Sequence, residues 1–499
     1  YDVDGTMGTY ILVDALKQMG FFVDYTIPHR VKDGYGINRA IVDTAFEDGV
    51  DLIITVDNGI VAMDVADYCS SLGLRLIITD HHEPLMQNGE MVLPKADVVI
   101  DPKRADFPYK TGEICGAYVA YKLAFALTEN TNGDVDEFTN KYLGFAALAT
   151  VCDIMDLKEE NRIVVTHGTK ALENTRVVGM RALFDGCGIQ DSAISAYHMG
   201  FIIGPTINAA GRLGHAKDVL ELMFENEEER AKIKLNSMRE LNSERIEMTE
   251  EGTLLGKEIV NSMDLKKERV LVIHLPDIHE SVAGIIAGKL KDEYCRPVFV
   301  LTGKGDTLKG SGRSIDGYNM IESLRNSDYL LSKYGGHELA AGLTLSKLNL
   351  EDFRQAINES SDLTDSDLVE KINVDSMFPF FSITVPMLEA IAKLGPFGKG
   401  NPTPIFSQLG VHIESATFMG KDKNVLKLSI KDRTTTKTGI MFSGGEEFVS
   451  YILKKYDRIT RETLLNGNAP EAKVDIVFRM QINEFRGNKE PQIIISHYR

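Results

Sequence analysis

The sequence predicts an α/β protein in which a parallel-sheet domain is joined by a long helix to a smaller α/β domain, followed by an all-β domain. Three observations predict this fold. Short runs of β-branched residues alternate with helical patterns over residues 1–216, as in βαβ units. Residues 217–262 contain no proline and keep a helical spacing of apolar side chains. From residue 376 the apolar runs become short and alternating, which is typical of a β-barrel or sandwich.

The smaller α/β domain is predicted from two strand-like runs, at 270–274 and 297–302, with a helix of small residues at 279–288 between them. Residues 360–375 are polar and acidic, as in a linker. The predicted organisation is a first domain at 1–216, a connecting helix at 217–262, a second domain at 263–360 and a β domain at 376–499.

Acids or histidines end three predicted strands of the first domain. One further strand is predicted at 21–27, after a helix that ends at Gly20. Ligands in open α/β sheets bind outside the carboxyl ends of the strands, so we expect these polar side chains to meet. They are Asp57 after the strand at 51–56, Asp80, His81 and His82 after the strand at 72–78, and Asp101 in the strand-like run at 97–103. Asp2 and Asp4 stand at a further predicted strand end, at the start of the chain.

Three glycine-rich segments are predicted to be turns that carry polar side chains. Exposed amides, a hydroxyl and guanidinium groups suit a phosphate, because all of them donate hydrogen bonds to its oxygens. Each segment alone is weak evidence, since most glycine turns are only turns. The segments are 204–215 with Arg212, 310–314 with Ser311 and Arg313, and 335–342 with His337.

Asp153 completes a carboxylate-rich set of candidate metal ligands. It follows a predicted buried helix at 142–152, where an acid could equally be only a cap. A set with one imidazole and no cysteine suits Mn²⁺ or Mg²⁺ better than structural zinc. Two such ions, about 3.5 to 4 Å apart and bridged by one acid, can stabilise both reacting oxygens of a displacement at phosphorus. The set is Asp2, Asp4, Asp57, His81 and Asp153.

Composition excludes several classes of function. The hydrophobic share of 43% and charged share of 26% are those of a folded globular protein. No apolar run reaches the roughly 18 to 20 residues that span a membrane. The five cysteines are scattered and never spaced as CxxC, which argues against a zinc knuckle or disulfide scaffold and for the cytoplasm. No GxSxG motif marks a nucleophilic serine.

The net charge of −18 argues against a nucleic-acid partner unless basic side chains are concentrated locally. One local concentration is visible at 454–499, a segment that contains nine Lys and Arg but only six Asp and Glu. Aromatic residues such as Phe478 and Tyr498 lie among these basic residues. An oligonucleotide-binding barrel has this pattern, and so do core aromatics with solvated charges.

A set of motifs also occurs in a recognisable order: Tyr1-Asp-Val-Asp-Gly, Ile27-Pro-His-Arg, Gly34-Tyr-Gly, Val56-Asp-Asn-Gly, Thr79-Asp-His-His-Glu, Cys152-Asp-Ile-Met, Asn208-Ala-Ala-Gly-Arg, Ser311-Gly-Arg-Ser, Gly335-Gly-His-Glu-Leu-Ala-Ala-Gly and Gly395-Pro-Phe-Gly-Lys-Gly-Asn-Pro. Over nearly the whole chain this order resembles the DHH/DHHA1 phosphoesterases, specifically their single-strand-specific 5′→3′ DNA exonucleases. The resemblance implies a DHH domain, a long helix, a DHHA1 domain and a C-terminal OB-like domain.

The resemblance also implies roles for individual residues. The carboxylate-rich set matches the metal-binding positions, with Asp57 as the bridge between two ions. Asp80 and His82 complete the signature and are implied to support the metals or contact the scissile phosphate. The positions implied to hold the 5′ end and its backbone phosphates are Arg30, Arg212, Ser311, Arg313 and His337.

Three departures from the family pattern indicate a divergent branch. The family motif begins one acid before Tyr1. Thr206 stands where many relatives carry arginine, and Ile278 stands where tryptophan is common. These differences bear on substrate preference more than on the type of reaction.

The expected function is two-metal hydrolysis of single-stranded DNA from its 5′ end to 5′-mononucleotides, in DNA repair and recombination. The alternative is a relative that cleaves short RNAs or cyclic dinucleotides, and a non-catalytic replication scaffold is less favoured. The expected cofactor is two Mn²⁺ or Mg²⁺ ions. We expect a cytoplasmic monomer that binds single-stranded DNA, with a single-strand-binding protein or a helicase as partner. The residues expected to take part in catalysis are Asp57, His81, His82 and Asp80.

Overall fold

The computed structural model describes residues 1–30, 33–107, 109–110, 113–189, 194–420, 424–467, 472–485 and 487–499. These residues form two compact units. The larger unit comprises Tyr1–Met155 and Ile163–Glu370, and the smaller comprises Asp156–Arg162 and Lys371–Arg499. No helix in the described ranges is long and apolar enough to cross a membrane.

The first sheet of the larger unit is parallel, with strand order β1-β2-β5. Apolar β-branched residues build it, and Leu76 and Ile78 of the middle strand are buried. Because all three strands run the same way, their carboxyl ends meet at one edge. The strands are β1 (Leu52–Val56), β2 (Arg75–Thr79) and β5 (Val98–Ile100), and β3 (Leu85–Gln87) pairs with β4 (Glu90–Val92) in a separate hairpin.

Helices make up most of the rest of this half of the chain. They are α1 (Val3–Gln18), α2 (Arg39–Glu47), α3 (Met63–Ser71), α4 (Gly116–Asn130), α5 (Val135–Cys152), α6 (Glu159–Glu173), α7 (Val178–Gly186), α8 (Ala196–His198), a π-helical turn (Met199–Ile203), α9 (Gly204–Leu213), α10 (Lys217–Met223) and α11 (Glu228–Asn261).

Two strands predicted for the first domain do not form. Helix α1 begins at Val3, because the Asp2 side chain caps it by accepting a hydrogen bond from the Gly5 N–H at 3.2 Å. Asp4 therefore lies on a helix and not at a strand end. Residues 21–27 have no regular structure, because in the described part of the chain β1 pairs only with β2 and offers these residues no ladder.

The glycine-rich segment at 204–215 is a helix, α9, and not a turn. Its small residues allow close packing against the start of the chain: a Cβ at Gly211 would collide with the carbonyl oxygen of Tyr1. Asn208 accepts a hydrogen bond from the Val3 N–H at 3.1 Å. Helix α9 thus fixes the first turn of α1, which carries the first two aspartates.

The segment predicted as one helix at 217–262 contains two, because the chain leaves the helical path before α11. Glu227 is extended, with φ −102° and ψ 121°, and caps the start of α11. Asn226 donates a side-chain hydrogen bond to the Phe224 carbonyl across this break. The long helix therefore begins at Glu228.

The second sheet of the larger unit is mixed, with strand order β6-β7-β8-β10-β9, and only β6 and β7 are parallel. The segments predicted as turns at 310–314 and 335–342 lie mainly in its antiparallel strands, whose pairing is made by the backbone and so accepts glycine. The elements are β6 (Leu271–Leu275), α12 (Ala283–Tyr294), β7 (Val298–Thr302), β8 (Thr307–Arg313), α13 (Met320–Asn326), β9 (Leu331–His337), β10 (Ala340–Ser346) and α14 (Leu350–Glu359).

The smaller unit is a closed β-barrel with short helices. Strands β12, β13, β14, β16 and β15 pair in that order, and β12 also pairs with β15, which closes the ring. The elements are β11 (Ser376–Met377), α15 (Val385–Ala392), β12 (Phe406–Met419), β13 (Val425–Lys431), β14 (Thr436–Met441), α16 (Gly445–Lys455), α17 (Arg461–Leu465), β15 (Lys473–Phe485) and β16 (Asn488–Tyr498).

A distant stretch of chain, Asp156–Arg162, belongs to this smaller unit. The Leu157 N–H donates to the Lys399 carbonyl at 2.7 Å. The Arg162 guanidinium donates to the carbonyls of Leu394 and Gly395 at 2.9 and 3.1 Å. The smaller unit is therefore built from two separate pieces of the sequence.

Replacing Phe380 by alanine should destabilise the smaller unit by about 3–5 kcal/mol, because its ring is fully buried in the barrel core and the change leaves a cavity. Phe381→Ala is the matched control: this neighbouring ring is 66% exposed, and its loss should cost less than about 0.5 kcal/mol. Thermal and urea unfolding of both variants measures the difference. Equal losses in the two variants would contradict the packing described here.

Candidate metal centre and anion site

The ends of β1 and β2 place Asp57 and the Asp80-His81-His82 run side by side. The Asp57 N–H donates to the Thr79 carbonyl at 3.0 Å, which continues the ladder past the strand ends. Asp57 then adopts φ 60°, in the left-handed region that aspartate tolerates better than most residues. This change of direction ends the strand and turns the chain at the edge of the sheet.

The N-terminus of α4 binds Asp4. The backbone N–H groups of Gly116 and Ala117 donate to the two carboxylate oxygens of Asp4, both at 2.7 Å. These amides lack partners inside their own helix, and the positive end of the helix dipole stabilises an anion there. Asp4 is therefore held as a buried carboxylate between α1 and α4.

His81 lies at the centre of the carboxylates. Its Nε2 atom is 3.2 Å from Asp57 Oδ1, 3.5 Å from Asp4 Oδ2 and 3.6 Å from Asp153 Oδ2. Two overlapping groups have ligand atoms close enough to hold a metal ion: Asp4 with His81 and Asp153, and Asp57 with His81 and His82. The structure thus brings together four of the five predicted metal ligands.

The fifth predicted ligand, Asp2, lies at the edge of this cluster. A Cβ built on Gly5 would be 3.4 Å from Asp57 Oδ2 and 4.0 Å from Asp2 Oδ1, so both carboxylates face the same backbone position of α1. Asp2 is also the N-cap of α1.

The charges of the cluster are unbalanced without a cation. Burial, together with Asp4, Asp2 and Asp153, raises the pKa of Asp57 well above its ordinary value. Burial lowers the pKa of His81, so the imidazole is neutral, which is the form that binds metals. Asp57 Oδ1 is buried and accepts no hydrogen bond in the described part of the chain. A divalent cation fits this oxygen-rich set.

His82 is held by Asp80 at the edge of the carboxylate cluster, with its Nδ1 atom 3.9 Å from Asp57 Oδ1. Its Nδ1 atom is 2.6 Å from Asp80 Oδ1, and the backbone N–H groups of His81 and His82 donate to the same oxygen. The other oxygen of Asp80 accepts the Ile60 N–H at 2.9 Å. Burial alone would raise the pKa of Asp80, but these hydrogen bonds lower it, so the carboxylate stays charged.

An arginine cluster lies in the same unit. The Arg212 guanidinium donates to the Ser281 carbonyl at 2.7 Å, and Arg30 stacks on the Tyr1 ring at 4.8 Å. Burial, with Arg30 and Arg245, lowers the pKa of Arg212 to about 10. Burial and Arg30 also lower the pKa of Arg313. Half-buried guanidinium groups that repel one another form a site for an anion.

Strand register places Ser311 and His337 on the same sheet face as Arg313. Arg313 and His337 both pair with Ala340, one from each side, and Ser311 pairs with Gly342 two residues along. Side chains of residues on one rung, or two apart on one strand, lie on one face. The five predicted phosphate-binding residues are thus divided: three arginines form the cluster, and the other two lie on the face that carries Arg313.

Sequence reasoning missed four residues of these sites. Asp101 is not among them, because the run at 97–103 was predicted to deliver an acid at the same end as Asp57, and Asp101 does follow β5. Gly116 and Ala117 were hidden because they lie 112 and 113 residues from Asp4. Tyr35 stands in a recognised motif to which no role was given. Arg245 was hidden in a highly charged helix.

Comparison with known proteins agrees with this geometry. Three family models match the chain in order: the DHH family N-terminal domain at 1–150, the DHHA1 domain at 267–361 and the RecJ OB domain at 374–497. A single-stranded-DNA-specific exonuclease RecJ of Escherichia coli is 30% identical over 518 residues, which cover 100% of this chain and 86% of that protein. The chain belongs to the RecJ family. The predicted resemblance and fold class are confirmed.

Other members of the RecJ family differ in length. The Bacillus subtilis RecJ exonuclease is 33% identical to this chain, which spans 60% of that protein. The crystal structure of Thermus thermophilus RecJ with Mn²⁺ matches with a TM-score of 0.82 and 26% identity, over 100% of this chain and 68% of that one. The Mg²⁺ complex of the same RecJ matches with a TM-score of 0.75 and 25% identity, over 100% of this chain and 66% of that one.

Gly116→Ala should weaken Mn²⁺ binding about tenfold or more, because the new Cβ would lie 2.6 Å from Asp57 Cβ and 2.8 Å from its Cα and Oδ1. Asp57 would have to move, and with it the cluster around His81. Gly288→Ala, in helix α12, is the control, since its Cβ would have no neighbour within 4 Å. Isothermal titration with Mn²⁺ measures the effect. Unchanged affinity in Gly116→Ala would contradict it.

Asp101→Asn should stabilise the metal-free protein at pH 7 but not at pH 4. Asp101 Oδ2 is buried and accepts no hydrogen bond among the described residues, and burial raises the pKa of this carboxyl from 3.8 to about 6. At pH 4 the folded carboxyl is protonated and the unfolded one only partly ionised, so little of the cost is present. As the pH rises to 6 the unfolded chain loses the proton first, so the charged carboxylate destabilises the fold by up to about 3 kcal/mol at pH 7.

Melting temperatures in EDTA at the two pH values test this expectation. Asp365→Asn is the control, because that carboxylate is 96% exposed. A gain for Asp101→Asn that is equal at pH 4 and pH 7 would show that the charge of Asp101 is not its cause.

Proposed function

We propose that this chain is a metal-dependent exonuclease that hydrolyses single-stranded DNA in the 5′→3′ direction to 5′-mononucleotides. The observation that carries the proposal is the adjacency of a metal-capable carboxylate cluster to an arginine cluster. Arg30 lies over the ring of Tyr1 at 4.8 Å. Tyr1 directly precedes Asp2, whose carboxylate faces the same position of α1 as that of Asp57. A phosphate held by the arginines would therefore have its neighbouring phosphodiester beside the carboxylates. Membership of the RecJ family supports the same reaction.

We propose that two Mn²⁺ or Mg²⁺ ions bind among the five predicted ligands, with Asp57 between them. Bound divalent ions stabilise negative charge on the attacking and leaving oxygens of a displacement at phosphorus. Mn²⁺ and Mg²⁺ are the ions of the Thermus thermophilus RecJ complexes. The proposed ligands are Asp2, Asp4, Asp57, His81 and Asp153.

The protein groups would position the strand for in-line attack. Water adds to phosphorus, the bond to the 3′-oxygen of the terminal nucleotide breaks, and the phosphate remains on the next nucleotide. Each turnover thus creates a new 5′-phosphate, the kind of anion that Arg30, Arg212 and Arg313 suit. His82, oriented by Asp80, would lie beside the scissile phosphate. Ser311 and His337 would hold backbone phosphates further along the strand.

We propose that the closed barrel binds the single strand. Its match to the RecJ OB domain supports this role, and OB folds bind single strands through basic and aromatic side chains. The five free cysteines support the predicted cytoplasmic location. A single-strand-binding protein or helicase as partner, and a monomeric state, stay predictions.

Asp57→Asn should abolish Mn²⁺-dependent digestion of a long single-stranded DNA, lowering the rate by about 100-fold or more, because a central ligand loses its charge. The substrate is labelled at the 5′ end in one reaction and at the 3′ end in another, with a duplex and a dinucleotide in parallel. Asp365→Asn is the matched control and should digest as fast as the wild type.

Early release of the 5′ label as mononucleotide, with the duplex spared, is the expected result. Early release of the 3′ label would contradict the polarity. Hydrolysis confined to the dinucleotide would favour the alternative of a short-RNA or cyclic-dinucleotide phosphodiesterase. Undiminished digestion by Asp57→Asn would overturn the assignment of the metal centre.

A further inference from the structure

Tyr35, in the turn between Gly34 and Gly36, contacts both Asp57 and His82 of the candidate centre. Its hydroxyl oxygen is 3.1 Å from the Asp57 carbonyl oxygen, to which it donates a hydrogen bond. The same oxygen is 3.0 Å from Nε2 of His82. One phenol group thus connects the backbone of a predicted metal ligand with the third residue of the Asp-His-His signature.

The contact with Tyr35 completes the restraint of His82. Nδ1 of the imidazole is 2.6 Å from Asp80 Oδ1, and the Tyr35 hydroxyl oxygen is 3.0 Å from Nε2 and 3.5 Å from Nδ1. The two rings also meet edge to face, with centroids 5.7 Å apart and planes at 79°. An imidazole held by both Asp80 and Tyr35 is restrained in orientation, whereas one held by Asp80 alone can swing about that bond.

The contact with Asp57 acts on the backbone. Asp57 lies in the left-handed region at φ 60°, so the direction of its carboxylate depends on a conformation that needs outside support. Tyr35 binds its carbonyl, and the Ile37 N–H donates to Asn58 Oδ1 at 3.0 Å. Hydrogen bonds therefore attach the turn around Tyr35 to Asp57, a predicted metal ligand, and to Asn58, the next residue.

The Tyr35 ring also extends the contact towards the arginine cluster. It meets the Tyr1 ring edge to face, with centroids 6.1 Å apart. The Arg30 guanidinium in turn lies over the Tyr1 ring, 4.8 Å from its centroid. Tyr35 is nevertheless 58% exposed. Its loss would therefore not open a hole in the core, and its hydroxyl is not needed for the fold.

We propose that Tyr35 is a positioning residue of the metal centre: its hydroxyl fixes the ring of His82 and the backbone of Asp57, and so sets where the Asp57 carboxylate meets the cations. For its effect on catalysis the proposal rests on the proposed function. Its effect on metal binding does not. Groups that orient metal ligands typically change metal affinity or activity 10- to 100-fold when removed.

Tyr35→Phe removes only the hydroxyl and is the variant to test. Mn²⁺ affinity, measured by isothermal titration, should fall about tenfold. In digestion of single-stranded DNA, kcat should fall about as much while KM for DNA changes less than twofold, and excess Mn²⁺ should restore part of the loss. Tyr329→Phe is the control, because that ring is 73% exposed on the segment before β9; it should match the wild type.

A double-variant cycle separates positioning from a general loss of structure. If Tyr35 acts partly through His82, Tyr35→Phe combined with His82→Asn should bind Mn²⁺ less weakly than the product of the two single effects predicts. Strictly multiplicative effects would remove His82 from the proposal and so overturn it.

The remaining outcomes are equally decisive. Wild-type Mn²⁺ affinity in Tyr35→Phe would overturn the proposal, and so would a raised KM at unchanged kcat, which would make Tyr35 a contact of the DNA strand. If the wild type digests no single-stranded DNA while Tyr35→Phe still weakens Mn²⁺ binding, the proposed function fails and the positioning role stands.

Discussion

The repulsion among carboxylates packed around one imidazole is the constraint on which the rest of this molecule depends. Each acid is held by a different part of the chain, so none can move away from its neighbours. The N-terminus of α4 binds Asp4, the end of β1 carries Asp57, and the residue after α5 supplies Asp153. Helix α9 in turn fixes the start of α1. The fold maintains a concentration of carboxylates whose repulsion a bound cation relieves.

The arginine cluster is the opposite half of this electrostatic arrangement, and it explains why the net charge of −18 is a poor guide to the ligand. Arg30, Arg212 and Arg313 come from segments far apart in sequence, and only folding makes them neighbours. A formal charge summed over the chain weights solvated acids on α11 as heavily as a half-buried guanidinium. Binding responds to the local potential, where burial strengthens each charge.

The parts of the site predictable from sequence were those built by local rules. Asp57 and His81 were found because strand ends can be read from short apolar runs, and the parallel order brings those ends together. Asp4 was placed wrongly on a strand, since the amides that bind it lie more than a hundred residues away. Glycine misled three times, because α9, β8 and the β9–β10 pair use it for close packing and pairing and not mainly for turns. The domain order was predictable, because the spacing and length of the apolar runs change from one domain to the next.

The two-piece construction of the smaller unit has a consequence for synthesis. Arg162 finds its carbonyl partner 232 residues further along the chain. At about 5–20 residues per second a ribosome needs roughly 10 to 50 s to make that stretch. During this time the residues that Asp156–Arg162 contacts in the smaller unit have not been synthesised. The barrel therefore cannot be completed until long after Arg162 is made, and the nascent chain passes through a stage in which most of the larger unit is made before Asp156–Arg162 has its partners.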